Sequence, residues 1–497
     1  MKKSLWQKDS SHNNFGQISQ NLYTDILIIG GGITGITSAY NLIGKNKKVL
    51  LVEGNDFFNN TTCKSTGKIT YLQDLKYQEI YDIYGFDTAK LYYESQKDAI
   101  RIIKKIVKEN DIDCDLKKTS CITYTNDDKE ISKFDKEQKI LDNLKVKYYT
   151  PSNLLKDKEI KRSIMVKDTY TFNPCKYLKG LLKIIKKSSN VEVYQNSKAT
   201  RIKREKNNYI VVVNDCIVNT KKIILACNYP FFTIPGFIPI KTYMEKSYIT
   251  ATKVSKIEDI CGITSNYPVI SFRYYEDKKD KYFIYLNNSS KICDKLNYKK
   301  NYDECISESE NITGKQPNYK WTNMDVMTND YLPLVGRISE EDKNIFIATG
   351  YNTWGMTNGT IAAKIVCDLI LFNRSKYKEV FNPSRQMNIP KFKNFINNTL
   401  IGSVKAYTFN LIKKNPSWYK GKAVVTKIEG KRVGIYFDNE GNKHIVSNIC
   451  PHLKCFLTFN EVDKTWDCPC HGSRFDIDGN AVKGPSCYDI KIDETKK

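Results

Sequence analysis

The sequence predicts an α/β protein with an interleaved antiparallel β domain and a small all-β domain at its C-terminal end. Three observations carry this. A strand, a glycine-rich turn, a helix and a second strand follow one another between residues 25 and 53. Long β-rich insertions come later, as in an α/β domain with an antiparallel partner. From residue 421 the pattern changes to short strands separated by turn residues. The 497 residues exceed the roughly 100–200 of one domain, so two or three domains are expected.

Residues 1–23 are polar and read as an arm. Asp25-Ile26-Leu27-Ile28-Ile29 is an apolar run entering Gly30-Gly31-Gly32, the mark of a buried strand meeting a tight turn. A helix is expected from about 34 to 43, then a strand over 48–53. Helical spacing recurs at 90–108 and 177–187, and 359–372 reads as an apolar helix. β-type runs occupy 208–213, 222–226, 267–275, 281–286 and 344–348. Residues 376–420, with Pro383, Pro390 and Pro416, read as a linker. Strands over 422–428, 431–437 and 443–447 open the last domain, residues 421–497.

Composition excludes several classes. The net charge is +24, and the 12 basic and 11 acidic side chains of residues 421–497 leave +23 on the first 420. These positives are scattered lysines without an arginine-rich stripe, so a solvated surface is expected and not a nucleic-acid binder. No run of 18 apolar residues exists, so no transmembrane segment is expected. Polar residues, not an apolar signal core, follow Met1-Lys2-Lys3-Ser4-Leu5-Trp6, which suggests a cytoplasmic protein. There a Cys/His cluster reads as a metal site before a disulfide. Of four histidines, His444, His452 and His471 lie in the last 77 residues and His12 in the arm. Chemistry needing several imidazoles must therefore sit at the C-terminal end.

Gly30-Gly31-Gly32-Ile33-Thr34-Gly35 is G-x-G-x-x-G between a strand and a helix, and Glu53 ends the next strand. Gly30 makes the turn, Gly32 lets a pyrophosphate approach the backbone, and Gly35 lets helix and strand pack closely. The helix N-terminus favours phosphate, and Glu53 can accept from ribose hydroxyls. The agreement of strand, helix and acid favours a Rossmann-like dinucleotide site over a plain turn.

The sequence around and beyond this turn resembles FAD-dependent oxidoreductases of the D-amino-acid oxidase and glycine/sarcosine oxidase class, over residues 20–375. The stretch Thr61-Thr62-Cys63-Lys64-Ser65-Thr66-Gly67-Lys68-Ile69-Thr70 is similar to that class's segment along the flavin phosphate and ribityl side. Asp330-Tyr331-Leu332-Pro333-Leu334-Val335-Gly336 and Gly350-Tyr351-Asn352-Thr353-Trp354-Gly355-Met356-Thr357-Asn358-Gly359 are similar to its closing flavin motifs. The resemblance implies FAD bound by Gly30, Gly32, Thr34, Gly35, Glu53, Thr62, Ser65, Thr66, Gly336, Gly350, Gly355, Met356 and Thr357. It places FAD-binding segments at about 24–95, 150–235 and 318–375 of an oxidoreductase domain over 24–375, with substrate-domain segments between them.

Cys450-Pro451-His452-Leu453-Lys454-Cys455 and Cys468-Pro469-Cys470-His471-Gly472-Ser473 give C-x-H, fifteen residues, then C-x-x-H. Thiolate suits one iron and neutral imidazole another, while a tetrahedral zinc site is the bland alternative. The pattern resembles Rieske proteins. That resemblance implies a [2Fe-2S] cluster with Cys450 and Cys468 on one iron and His452 and His471 on the other. It also implies a Cys455–Cys470 disulfide and a covering proline loop at Gly484-Pro485. Ser473 is expected to donate to a cluster sulfide. Phe475 stands where high-potential members carry Tyr, so a lower potential is expected. His12 and His444 are all that remain for a mononuclear iron, which argues against a Rieske oxygenase.

The expected function is oxidation of a small amine or amino acid by flavin, with electrons passed through the cluster to an external one-electron acceptor. The rivals are a reductase with reversed flow and a non-catalytic electron-transfer or redox-sensing protein. No side-chain base is required, because an amine can bind already deprotonated. Arg273, in Ser271-Phe272-Arg273-Tyr274-Tyr275, is a candidate anchor for a substrate carboxylate, with a surface strand residue as the alternative. Cys114, Cys121, Cys227, Cys261, Cys293 and Cys367 lack metal spacing and read as packed or free thiols, and the oligomeric state is left open.

Overall fold

A computed structural model of the chain describes residues 3–8, 15–152, 159–231, 238–292, 294, 297–386 and 420–492. His12, Cys293 and most of the expected linker lie outside these. The strand Leu22–Ile29 runs between Val49–Val52 and Cys216–Leu225, parallel to both. Val191–Tyr194 and Ile345–Thr349 extend the parallel sheet on either side, and Leu334–Arg337 closes it antiparallel. Residues 26–29 and 49–52 are buried throughout, as strands covered on both faces must be. The helices Ile33–Asn41 and Gly355–Phe372 pack against each other.

A second eight-stranded sheet is almost wholly antiparallel. Its order is Tyr319–Thr328, Thr242–Lys253, Lys281–Lys291, Ser271–Glu276, Ile260–Thr264, Lys117–Thr125, Arg162–Thr171 and Lys68–Ile69. These strands alternate in the chain with those of the first sheet, so the two domains are interleaved. The strand expected over 267–275 begins only at Ser271, because Pro268 has no N–H to give a ladder. The strands Thr242–Lys253 and Tyr319–Thr328 had no sequence signal. Lysine, serine, asparagine and aspartate interrupt their apolar pattern.

The C-terminal part has a three-stranded sheet, Ala423–Ile428, Lys431–Phe437 and Lys443–Ser447, and four short strands between Thr458 and Lys483. Trp466 fills its core and lies so close to Gly434 that a Cβ there would stand 2.5 Å from the indole.

Four features bear on these expectations. The N-terminal residues do not stand free. Ser4, Leu5 and Trp6 are buried, and Trp6 Nε1 donates to the Ser65 carbonyl at 2.7 Å. Within the expected linker, Tyr377 and Phe381 are core residues and Arg385 pairs with Asp330 at 2.7 Å. Helix Gly355–Phe372 is long and apolar enough to cross a membrane, but two thirds of it is buried in the protein, which accounts for its composition. Finally, Cys63 and Cys175, 112 residues apart, form a disulfide.

Candidate functional site

The parallel strands end at one cleft. Its wall takes Gly30 from the end of Leu22–Ile29, Glu53 from the end of Val49–Val52 and Ala226 from the end of Cys216–Leu225. This crevice beyond strand carboxyl ends is where open α/β sheets bind ligands. It holds about 2100 Å³ of space between protein atoms, its open mouth included.

Two glycines show why the turn is glycine-rich. Gly30 has φ +113°, and a Cβ there would meet the Ala226 carbonyl at 2.5 Å. A Cβ on Gly35 would fall 1.8 Å from the Gly30 carbonyl oxygen, so only glycine lets helix Ile33–Asn41 seat on the strand. Glu53 accepts from Gly31 N–H at 2.7 Å and Asn55 N–H at 2.9 Å, which ties the second strand to the turn. Burial nevertheless raises its pKa. Thr34 Oγ1 lies 2.7 Å from the Tyr351 hydroxyl, joining the first motif to the last.

Of the residues expected around FAD, Gly30, Gly32, Thr34, Glu53, Thr62, Ser65, Thr66, Gly355 and Met356 line this cleft. Gly35, Gly336, Gly350 and Thr357 do not line it, and Thr357 Oγ1 accepts from Gln73 Nε2 at 3.0 Å. A narrow backbone cradle with a helix N-terminus at one end and an acid beside it fits a dinucleotide.

Arg273 is corrected. It is 1% exposed and is not on the cleft wall. Its Nη1 donates to the carbonyls of Thr66, Gly67 and Phe172 at 2.8, 2.9 and 3.0 Å, and its Nε to that of Tyr274 at 3.2 Å. The guanidinium holds the Thr66-Gly67 loop from behind and does not reach the cleft.

The second centre is built by two loops of the C-terminal domain. The loop after Lys443–Ser447 carries Cys450 and His452, and the loop after Thr465–Asp467 carries Cys468 and His471. Cys450 and Cys468 are nearly fully buried, and each thiol acts on the other's ionisation. Backbone N–H groups of His452 and Leu453 favour the thiolate of Cys450, and those of Cys470 and His471 that of Cys468. The Cys468 thiol is the largest influence on Cys450 and lowers it to about 7. The imidazoles stand 5.1 Å apart between ring centroids. The Nδ1 atoms of both are buried with no hydrogen-bond partner among the described residues. Burial lowers their pKa values to about 4 and about 3, so both are neutral donors. Two thiols and two orphaned imidazole nitrogens fit a mixed sulfur–nitrogen iron centre.

Cys455 and Cys470 form a disulfide joining the two loops, with Cα atoms 6.6 Å apart. Their sulfurs lie within 4.8 Å of the Cys468 sulfur, so this thiol group is the disulfide's neighbourhood and not a separate metal site. Ser473 is fully buried, accepts from Ser486 N–H at 2.9 Å and hydrogen-bonds Cys450. His444 instead meets Asp478 at 2.8 Å and Asp438 at 3.5 Å. Burial opposes its protonation, but the two carboxylates raise its pKa overall.

The two centres face each other. Tyr229 lines the cleft, and its ring lies 5.0 Å from that of His471 and 6.1 Å from that of His452. Beside it Gly472 rests against Met244 and Met324. Lys246, 1% exposed, reaches from Thr242–Lys253 to Asp467 at 3.5 Å and Asp463 at 3.8 Å. Arg474 bonds the same two acids at 2.9 and 2.7 Å. Residues 482–487 of the C-terminal domain complete the cleft wall, and Gly484 and Pro485 sit there. Tyr229, Met244 and Lys246 were missed from sequence. Each belongs to a strand or loop far from the cysteine motifs, with no local signature.

The family model for FAD dependent oxidoreductases matches residues 25–369, and that for the Rieske [2Fe-2S] domain matches residues 410–492. A Bacillus subtilis protein, YhfW, named as a Rieske 2Fe-2S iron-sulfur protein, is 31% identical over 98% of this chain and 97% of its own. Gamma-glutamylputrescine oxidoreductase of Escherichia coli is 21% identical over 74% of this chain and 88% of its own. The crystal structure of glycine oxidase from Geobacillus kaustophilus superposes with TM-score 0.61 at 11% identity, over 74% of this chain and all of that one.

Proposed function

Since the chain belongs to the FAD dependent oxidoreductase family and ends in a Rieske [2Fe-2S] domain, we propose that it oxidises a small amine or amino acid and passes the electrons through the cluster to an external one-electron acceptor. FAD and the [2Fe-2S] cluster are its cofactors. When bound, they supply conversion of a two-electron donor into single-electron steps. The observation that carries the reading is the docking of His452 and His471 on Tyr229, at the wall of the flavin cleft. A cluster serving a distant partner alone would have no reason to turn both imidazoles inward.

The turn at Gly30–Gly32 and the start of helix Ile33–Asn41 take the pyrophosphate, and Glu53 orients the ribose. Thr62, Ser65 and Thr66 face the ribityl side, and Gly355 and Met356 the ring. Cys450 and Cys468 hold one iron, and His452 and His471 the other, with Ser473 donating to the sulfur side. The disulfide fixes the spacing of the two loops, and the Lys246 cluster holds the domains in register. The names of the relatives favour an amine or amino acid as donor.

An anaerobic screen of amines and amino acids, read as bleaching of the flavin absorbance, tests this. Bleaching by a member of the panel supports the reading. Bleaching only by reduced electron carriers would favour the reductase, and none at all the non-catalytic protein.

A further inference from the structure

The floor of the cleft carries polar groups that the nucleotide cradle does not use. On the antiparallel sheet Asn323 stands opposite Ser247, and the Ser247 hydroxyl lies 3.0 Å from that of Ser289. Asp325, two residues beyond Asn323, shares its face. All four line the cleft. Asn323 is 4% exposed, and its Oδ1 has no partner among the described residues, while its Nδ2 leans on Asp325 at 3.4 Å. Polar groups buried this way are costly unless something pairs with them.

Another part of the cleft wall belongs to the Rieske domain. Lys483, at the end of Ala481–Lys483, lines the same cleft. Among the described residues neither Lys483 nor Asp325 forms a salt bridge, yet each feels the other's field. Burial raises Asp325 to about 6 and lowers Lys483 to about 7. A carboxyl group with an amide acceptor beside it and a lysine amine from the other domain thus line one cleft without pairing to each other. Lys64, buried and held by Asn59 at 2.9 Å, adds positive field on the Lys483 side. A ligand carrying both charges would satisfy both walls at once.

We propose that this pole recognises a zwitterion, with its ammonium at Asp325 and Asn323 Oδ1 and its carboxylate at Lys483, so the substrate is an amino acid and the Rieske domain completes the substrate site. The inference rests on the proposed function of the same cleft and narrows it. It also gives the fusion of the two domains a second purpose: an undocked Rieske domain would leave the site without its cation.

The test uses the full-length holoenzyme and matched probes that differ only in the carboxylate: L-proline against pyrrolidine, and alanine against ethylamine. Calorimetric binding is read anaerobically beside flavin bleaching. The carboxylated probe of a pair is expected to bind about ten- to a hundredfold more tightly, the range of a charge-assisted hydrogen bond. Lys483→Met is expected to erase that advantage without changing the carboxylate-free probe. Asp325→Asn is expected to weaken both. Flavin content and the paramagnetic signal of the reduced cluster, unchanged in both variants, report that the protein is folded and loaded. Tight binding lost in Lys483→Met without bleaching would uphold the pole and sink the proposed function. Bleaching by both members of a pair, indifferent to Lys483→Met, would overturn the pole and leave the function standing. Binding of neither member of either pair would overturn both.

Discussion

Replacing Lys246 with methionine should loosen the Rieske domain from the flavin domain. The buried cluster is electrically closed, since Asp463 and Asp467 are balanced by Arg474 and Lys246. At contacts of 3.5 and 3.8 Å, each lysine–carboxylate attraction is about 4–5 kcal/mol at an effective dielectric of about 20. Most of that is cancelled by the desolvation of the ammonium. The decisive quantity is the charge left behind. Lys246→Met strands one net negative charge at the interface, which costs about 3–5 kcal/mol. The ammonium's seat over the Tyr298 ring, 4.3 Å from its centroid, is lost with it. Removing the stranded charge in Lys246→Met/Asp463→Asn should recover roughly 2–3 kcal/mol as a coupling energy. The assay is urea unfolding followed together by flavin fluorescence and cluster absorbance. In the wild type the signals should move together, and in Lys246→Met the cluster signal should change at lower urea. If the double variant is no more stable than the single one, the neutral-cluster reasoning is wrong.

Further changes probe other parts of the account. Gly35→Ala should yield protein without FAD, because the new Cβ overlaps the Gly30 carbonyl at 1.8 Å; flavin content after purification checks this. Arg273→Met should lower the melting temperature and flavin retention, since three carbonyls lose a donor at about 1–3 kcal/mol each, without altering KM in the folded fraction. An unchanged melting temperature with a raised KM would restore the substrate-anchor reading. Phe475→Tyr should raise the cluster midpoint from the lower part of the roughly −150 to +300 mV Rieske span, read by a redox titration of the paramagnetic signal. Tyr229→Phe should keep rapid cluster reduction after the flavin is reduced, whereas Tyr229→Leu should slow it in stopped-flow absorbance. Equal rates in both would remove Tyr229 from the path.

What could be read from sequence was whatever chemistry is local in the chain. Gly30 to Gly35 acts within one turn, and the cysteine and histidine pairs each sit on one short loop, so their spacing carries their geometry. Asp325, Lys246 and Tyr229 act through neighbours on other strands, and polar residues broke the alternation that would have revealed the strands of Lys246 and Asp325. Arg273 was misjudged for a related reason. Strand periodicity gives the alternation of faces but not what lies beneath them, and here the Thr66-Gly67 loop lies beneath. Cys63 and Cys175 join a loop to a helix start across 112 residues, a pairing with no spacing to betray it. The +23 of the first 420 residues likewise says nothing of the internal charge pairs that position the domains.

The central claim is that electrons cross from the flavin cleft to the cluster within one chain. The direct measurement is an anaerobic titration of the holoenzyme with an oxidisable amino acid, following flavin absorbance and the paramagnetic signal of the reduced cluster in the same samples. Both should respond, with the cluster signal growing as substrate is consumed and no external carrier present. Flavin that bleaches fully while the cluster stays oxidised would contradict it.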